Sequence, residues 1–517
     1  MNRLLFYFFI YLTILIGISL IFEFIQTGFD NSPFGDLISS MNYNKNTTET
    51  TTTTIITTGS EETESSKFAK VDNNGTGFIL DNKPFYIVGA NYWQAMNLGM
   101  SNKGEEGEGG GGNRSRVIKD LTTLKKYGIN CIRIMAGTEG PPGEPQRMYP
   151  ALMNYPGEYD EKVFQGLDWF LDQLRNFEMT AIMTLSNYWQ WSGGFAQYVN
   201  WADNNTNDNN NNNNNSSKIP YPKKGSKDFT KFEKYAARFY SDPKILDVCQ
   251  NYYLNHVKTV VNRKNTVNGI HYKDDPVIFA WELANEPQAI FESNNNNSNS
   301  NSNSNSNNSD HEYVYKWIDS SANYIKSLDS NHLVTTGSES KNGEEWFVTM
   351  HKSKNIDFSC AHVWVENWGY YNSDDSSIEN YQKAENFMLN FLQNVSDWSI
   401  NILHKPIILE EYGMARDGWS GLSKYSSDAP ITNKNKYFTA ISNKILELMH
   451  NNNNNNNTFS GNMFWAYAGI ARPTDNSPQW LGDPPHEPSG WYSVYDSDID
   501  TLNIFANHAK EISKIIN

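Results

Sequence analysis

Pro276-Val277-Ile278-Phe279-Ala280-Trp281-Glu282-Leu283-Ala284-Asn285-Glu286-Pro287 is an apolar run that ends abruptly in an amide, a carboxylate and a proline. A short, β-rich apolar run stopped by proline reads as a fully buried strand whose last residues are delivered to its C-terminal end. A parallel barrel presents a catalytic acid in this way. Far along the chain, Lys405-Pro406-Ile407-Ile408-Leu409-Glu410-Glu411-Tyr412-Gly413 repeats the design, another apolar run closing in carboxylates and a glycine. Two carboxylates at two strand ends point to an acid/base pair.

Outward from these two stretches the same theme recurs. Strand-like runs fall at 85–90, 129–135, 181–185, 277–283, 332–336, 356–362, 406–409 and 462–467. Between most of them lie stripes at helical spacing, such as Val117, Leu121 and Leu124, then Phe164, Leu167, Phe170, Leu171 and Leu174. Cys249, Tyr253, Val257 and Val260 form a further stripe, as do Val314, Trp317, Ile318, Ile325 and Leu328. Less regular stripes follow at Phe387, Leu389 and Phe391, and at Phe438, Ile441, Ile445 and Leu448. Eight strands alternating with helices predict an α/β fold of the (β/α)8 TIM-barrel type. An open doubly wound sheet would alternate similarly, but no GxGxxG follows the first strand.

Polar repeats at 104–112, 204–215, 294–308 and 451–457 read as solvated loops hung on this frame, since long surface loops cost little to close. Residues 1–30 hold Arg3 and an uncharged apolar run over 4–22, a signal peptide or an uncleaved signal anchor. Residues 31–66, rich in Thr, Ser and Asn, read as a disordered stalk, and 67–517 as the catalytic domain. The expected location is secreted and extracellular, or the cell surface with membrane anchoring through residues 4–22. Sequons at Asn46, Asn74, Asn113 and Asn394 fit an exported glycoprotein.

Of the 517 residues, 15 are Trp, 29 Tyr and 27 Phe, and the net charge is −16. Aromatic rings on an acidic protein suit stacking on sugar faces. The same charge argues against a nucleic-acid partner, which needs a basic footprint. Cys131, Cys249 and Cys360 are widely spaced in apolar surroundings and read as buried small hydrophobes, with no cluster that suggests a metal.

The two carboxylate-ended strands resemble the acid/base and nucleophile strands of glycoside hydrolase family 5, most of all its endo-β-1,4-mannanase branch. Other segments carry the same likeness: Asn91-Tyr92-Trp93, Ser192-Gly193-Gly194 with Gln197-Tyr198 and Trp201, Ala361-His362-Val363-Trp364, Asn462-Met463-Phe464-Trp465, and Gly482-Asp483-Pro484-Pro485-His486-Glu487-Pro488. The resemblance implies Glu286 as general acid/base and Glu411 as nucleophile of a retaining double displacement. It further implies Arg133 as the cation beside the nucleophile, Asn285 as the partner of the sugar 2-hydroxyl, and Trp465 as the sugar platform. His362, Trp364, Trp93 and Trp189 complete the expected substrate-binding set.

Glu410 and Glu282 compete for these roles. Neighbouring side chains on an extended strand point to opposite sides, so Glu410 and Glu411 are not both expected to face the barrel axis; Glu282 is expected to be a paired structural carboxylate. Two departures stand out against the family: Val365 replaces the usual proline after Trp364, and Gln288 stands where relatives often carry arginine. The expected activity is internal cleavage of β-1,4-mannosidic bonds in mannan, galactomannan or glucomannan by a monomer that needs neither metal nor organic cofactor. A β-1,4-glucanase of the same family and a catalytically silent surface carbohydrate-binding protein remain open as alternatives.

Overall fold

Each of the eight apolar runs becomes a parallel strand: β1 (Ile87–Asn91), β2 (Cys131–Met135), β3 (Thr180–Thr184), β4 (Ile278–Glu282), β5 (Leu333–Thr335), β6 (Ser359–Val363), β7 (Ile407–Tyr412) and β8 (Phe459–Phe464). They pair in the order β5-β4-β3-β2-β1-β8-β7-β6, so the sheet curls nearly into a closed barrel. The one seam lies between β5 and β6. Asp357 bridges it, its N–H donating to Val334 O at 2.8 Å and its carboxylate accepting from Val334 N at 2.7 Å. The computed structural model describes residues 67–101, 112–207, 218–223, 228–288, 306–418, 426–450, 459–473 and 481–516. The expected leader and stalk lie outside these residues.

The helical stripes pack where expected. They form α1 (Arg114–Lys126), α2 (Glu161–Asn176), α5 (Leu246–Val261), α6 (Ser306–Leu328), α8 (Ile378–Trp398) and α9 (Thr432–His450). The starts of α1 and α2 are capped by Asn113 and Asp160, whose side chains accept from Arg116 N and Lys162 N. Besides the single turn of helix at Ala95–Leu98, four further helices among the described residues carried no clear stripe: α3 (Gly194–Asn207), α4 (Thr230–Ser241), α7 (Glu344–His351) and α10 (Ile499–Ile516). Two polar repeats are thereby shortened as loops, because 204–207 complete α3 and 306–308 begin α6. The rest of those repeats falls outside the described residues.

At the base of the barrel, a small antiparallel sheet of Lys70–Val71, Phe78–Leu80 and Lys83–Phe85 turns through Asp81 and Asn82, both at positive φ. Its Phe78 ring meets Phe279 and Phe358 edge-on at 5.0 and 5.3 Å. With Ile87, Cys131, Ile182, Ile408 and Met463 these rings make an apolar floor. All three cysteines are free and buried.

Polar groups therefore collect above the floor, and there one expectation fails. Ala361 pairs with Leu409 but His362 pairs with Glu411, which leaves Glu410 as an extra, bulged residue of β7. A bulge breaks the two-residue alternation and re-aims side chains. Glu410 Oε2 thus lies 3.6 Å from His362 Nε2, while Glu411 also reaches His362 on its other ring nitrogen. Both carboxylates are interior, at two depths.

Candidate active site

Strand β4 ends at Glu282, and the next residues climb over the rim of the barrel. Asn285 bridges to Asn187 after β3, its N–H donating to Ser186 O and its C=O accepting from Tyr188 N. Glu286 N then donates to Gly337 O at 2.8 Å, with Glu286 held at φ +50. A left-handed backbone at a residue with a Cβ costs about 1–2 kcal/mol and persists only where its surroundings enforce it. Gly337 is part of that enforcement. It adopts φ +78, and a Cβ there would fall 2.0 Å from Ala284 O.

The carboxylate so delivered is nearly buried, at 7% exposure, and faces Glu411 at 2%. An oxygen of each, together with a His362 ring nitrogen, lies within 4.8 Å of the others. His362 Nδ1 stands between them, 2.7 Å from Glu286 Oε1 and 3.3 Å from Glu411 Oε2. Each carboxylate also takes an indole N–H: Trp189 donates to Glu286 Oε2 at 2.6 Å and Trp364 to Glu411 Oε2 at 3.1 Å. Room for the Trp364 ring comes from Gly413, where a Cβ would stand 2.8 Å from it.

Arg133 organises the layer below. Its Nε and one terminal nitrogen donate to the two oxygens of Glu282 at 2.7 Å each, so Glu282 is the paired carboxylate that was expected. The remaining N–H groups go to Asn285 Oδ1 at 2.8 Å, Asn91 Oδ1 at 3.0 Å and Glu411 Oε1. All five donors are spent on protein, which leaves none for a sugar. Arg133 is a positioning residue, not a substrate ligand.

The charges reinforce one another. Burial works against the Arg133 cation, but Glu282 and Glu411 outweigh it and hold the guanidinium charged. Burial likewise opposes charge on His362, yet the Glu411 charge and the carboxylate hydrogen bonds push its pKa well above the ordinary 6.5. For Glu411 burial acts upward, and His362 and then Arg133 overcome it, lowering the pKa below the ordinary 4.5.

A stability prediction follows from the sign of each shift. Glu411 contributes fully above about pH 4.5 and loses its contribution as pH falls through its lowered native pKa; His362 contributes fully below about pH 6.5 and loses it as pH rises through its raised one. The destabilisation caused by His362→Gln in urea titrations should therefore be largest between about pH 4.5 and 6.5. Arg133→Met should cost about 3–5 kcal/mol in the same assay at neutral pH, because it takes from the buried Glu282 its paired cation and leaves Glu411 with His362 and the Trp364 indole alone.

Trp465 directly follows β8, is 5% exposed, and meets Trp364 and Trp191 edge-on at 6.1 and 6.3 Å. With Asn91, Trp93, Arg133, Thr184, Trp191 and Asn285 among its neighbours it lines a small cavity beside the carboxylates. Trp93 is at this cavity, its indole donating to Gly482 O at 3.0 Å. Gln288 turns to Glu339, donating to Oε2 at 3.2 Å, and Lys341 pairs with the same oxygen at 2.8 Å. A cation is thus present close to where the sequence lacked the arginine.

Sequence reasoning missed Asn187, Trp191, Glu339 and Lys341. Asn187 Oδ1 accepts from Asn285 Nδ2 at 3.2 Å and from Trp189 N at 3.0 Å, so one amide aligns two expected residues. The Asn187 position, two residues past the third apolar run, is the only signal the sequence offered.

The arrangement has relatives. The family model described as GH family 5 beta-mannosidase-like matches residues 66–517. A crystal structure of a glycoside hydrolase family 5 mannosidase from Rhizomucor miehei superposes with a TM-score of 0.75 at 40% identity, covering 87% of this chain and 98% of that one. Mannan endo-1,4-beta-mannosidase 5 of Arabidopsis thaliana is 26% identical over 83% of this chain and 85% of its own length. Mannan endo-1,4-beta-mannosidase 5 of Solanum lycopersicum is 29% identical over 78% of this chain and 82% of its own.

Proposed function

Because the chain belongs to glycoside hydrolase family 5 and is a glycosidase, we propose that it hydrolyses β-1,4-mannosidic bonds of mannan, galactomannan or glucomannan with net retention at the anomeric carbon. The observation that carries the mechanism is the closeness of Glu286 and Glu411, oxygen to oxygen within 4.8 Å. Retaining enzymes hold their carboxyls about 5–5.5 Å apart, whereas inverting ones leave about 6.5–9.5 Å for a water molecule.

In the first step a Glu411 oxygen attacks the anomeric carbon from below while Glu286 gives its proton to the departing glycosidic oxygen. The C–O bond to the leaving sugar breaks and an ester to Glu411 forms. Glu411 suits the attack because Arg133 and His362 keep it ionised, and because the Trp364 indole fixes its second oxygen. Esterification removes the Glu411 charge, which leaves Glu286 free to act as a base. It then takes a proton from water, the water oxygen attacks the anomeric carbon, and Glu411 leaves as a carboxylate.

Asn285 is turned for the 2-hydroxyl. Arg133 fixes its Oδ1 and Asn187 takes one amide hydrogen, so one N–H is left over for the sugar. The choice of mannose over glucose rests on the relatives, since the pair itself is indifferent to the epimer. Reducing-end release should therefore appear on galactomannan and glucomannan and be absent on carboxymethylcellulose. Proton NMR of the first product should show the β anomer. Release from carboxymethylcellulose alone would keep the chemistry and replace the substrate; a first-formed α anomer would remove the retaining mechanism.

A further inference from the structure

Glu139, in the loop after β2, is a carboxylate at 1% exposure that takes no part in either step of the reaction. The Arg147 guanidinium beside it donates elsewhere, to Glu139 O and Gln197 Oε1 at 2.8 Å each and to Tyr221 Oη. Its carboxylate is held instead by the segment after β3. Oε2 accepts from Gly194 N at 2.9 Å, and Oε1 accepts from Ser186 Oγ at 3.1 Å and Tyr198 Oη at 3.2 Å. Burial raises its pKa to about 7, against the pull of these N–H and O–H groups.

The three partners define a clasp. Ser186 is the second residue past β3, Gly194 opens α3, and Tyr198 lies one turn further along that helix. One side chain therefore ties the start of the loop 186–194 to its end, and places its charge at the positive end of the α3 dipole.

The clasped loop carries the contacts that orient the acid. Ser186 O accepts from Asn285 N at 2.9 Å, and Asn187 Oδ1 accepts from Asn285 Nδ2 and from Trp189 N. Trp189 Nε1 in turn donates to Glu286 Oε2 at 2.6 Å. At the other end, Gly194 is seated so tightly that a Cβ there would fall 2.0 Å from Asn187 O, and Phe195 N donates to that same oxygen at 2.9 Å. A shift of Gly194 is thus passed to Asn187, then to Trp189 and the acid.

We propose that Glu139 is a positioning residue for proton transfer: by clasping the loop 186–194 it aims the Trp189 indole, and through it the Glu286 carboxyl, at the departing glycosidic oxygen. The inference rests on the β-mannoside hydrolase reading with Glu286 as its acid, and adds the residue that keeps this acid on line. A proton delivered off line matters most for a leaving group that needs it fully, and least for one that departs as a stable anion. Glutamine fits the clasp where alanine does not. Gly194 N only donates and so requires an oxygen, but the Ser186 and Tyr198 hydroxyls accept as well as donate, and a side-chain NH2 can take the place of Oε1.

The test compares the wild type, Glu139→Ala, Glu139→Gln and Glu286→Ala on phenyl, 4-nitrophenyl and 2,4-dinitrophenyl glycosides of mannose or, if a longer glycone is required, of mannobiose. The readout is kcat/KM, which reports the first step. Glu139→Ala should lose at least about tenfold on the phenyl glycoside and less than about threefold on the dinitrophenyl one, part of the roughly 10²–10⁴-fold that a general acid supplies. Glu139→Gln should recover most of that loss. A merely structural role would lower all three substrates alike. An equal loss, no loss, or a glutamine variant as impaired as the alanine one, beside a leaving-group-dependent Glu286→Ala, would overturn the clasp and leave the hydrolase reading standing. An equal loss for Glu286→Ala, or a wild type that cleaves none of these glycosides, would overturn both. If Glu139→Ala does not fold, Ser186→Ala, which frees one end of the loop, should show the same dependence at smaller size, and its absence would overturn the proposal.

Discussion

Glu411→Gln should lower kcat on mannan by roughly 10⁴–10⁶-fold, on the scale seen when a nucleophile is removed from a site whose members act as a unit. The substitution preserves shape but not charge or hydrogen bonding. Glu411 Oε1 accepts from Arg133 and Oε2 from Trp364, so whichever way the new amide turns, an NH2 meets a donor. A stability cost of about 1–3 kcal/mol is therefore expected alongside the loss of turnover. Arg133 remains paired twice with Glu282, so its charge is not stranded and the fold should survive. Binding of a mannan oligosaccharide, measured by calorimetry, should persist while turnover vanishes. Activity within tenfold of wild type would take the nucleophile role from Glu411.

Glu286→Ala should be read against the leaving group. With a polysaccharide, whose departing hydroxyl needs a proton, loss of the acid is worth roughly 10²–10⁴-fold. Dinitrophenolate departs without a proton, so dinitrophenyl β-mannoside should show a near-normal burst followed by slow turnover, because the second step lacks its base. Added azide should then restore turnover and yield the β-mannosyl azide, since it attacks the ester without base assistance. An equal loss on both substrates, with no effect of azide, would assign the acid/base role elsewhere.

The strand ends that carry these two residues were legible in the sequence because that signal is local, whereas their roles, and the choice of Glu411 over Glu410, came from the family resemblance. An apolar run that stops at Asn285-Glu286-Pro287, and another at Glu411-Tyr412-Gly413, announce strand ends by composition alone. Arg133 was legible for a related reason, being a charge amid Ile132, Ile134 and Met135 that demands a buried anion. The bulge at Glu410 was not. It depends on the register of β6 against β7, a property of two distant segments that no single-strand alternation rule contains.

The Trp191–His486 stack was hidden by the same kind of distance. Trp191 and His486 come from the loops after β3 and β8, far apart in sequence, and loop residues carry no periodicity that would mark their faces. Helices α3 and α4 were obscured differently. Their inward faces are largely aromatic, as in the Phe195–Phe239 stack at 4.1 Å, and a polar tract runs on directly from the end of α3. The small antiparallel sheet at the floor of the barrel was not legible in the sequence, because a two- or three-residue strand is too short to carry a pattern.

The most direct measurement is to trap the covalent intermediate. Incubation with 2-deoxy-2-fluoro-β-mannosyl fluoride, whose fluorine slows both steps while its leaving group lets the first proceed, should add one fluoromannosyl unit to the intact protein. Digestion and mass spectrometry should place it on Glu411. A label on Glu410 or Glu286, or no label on an enzyme that still turns over mannan, would contradict the account.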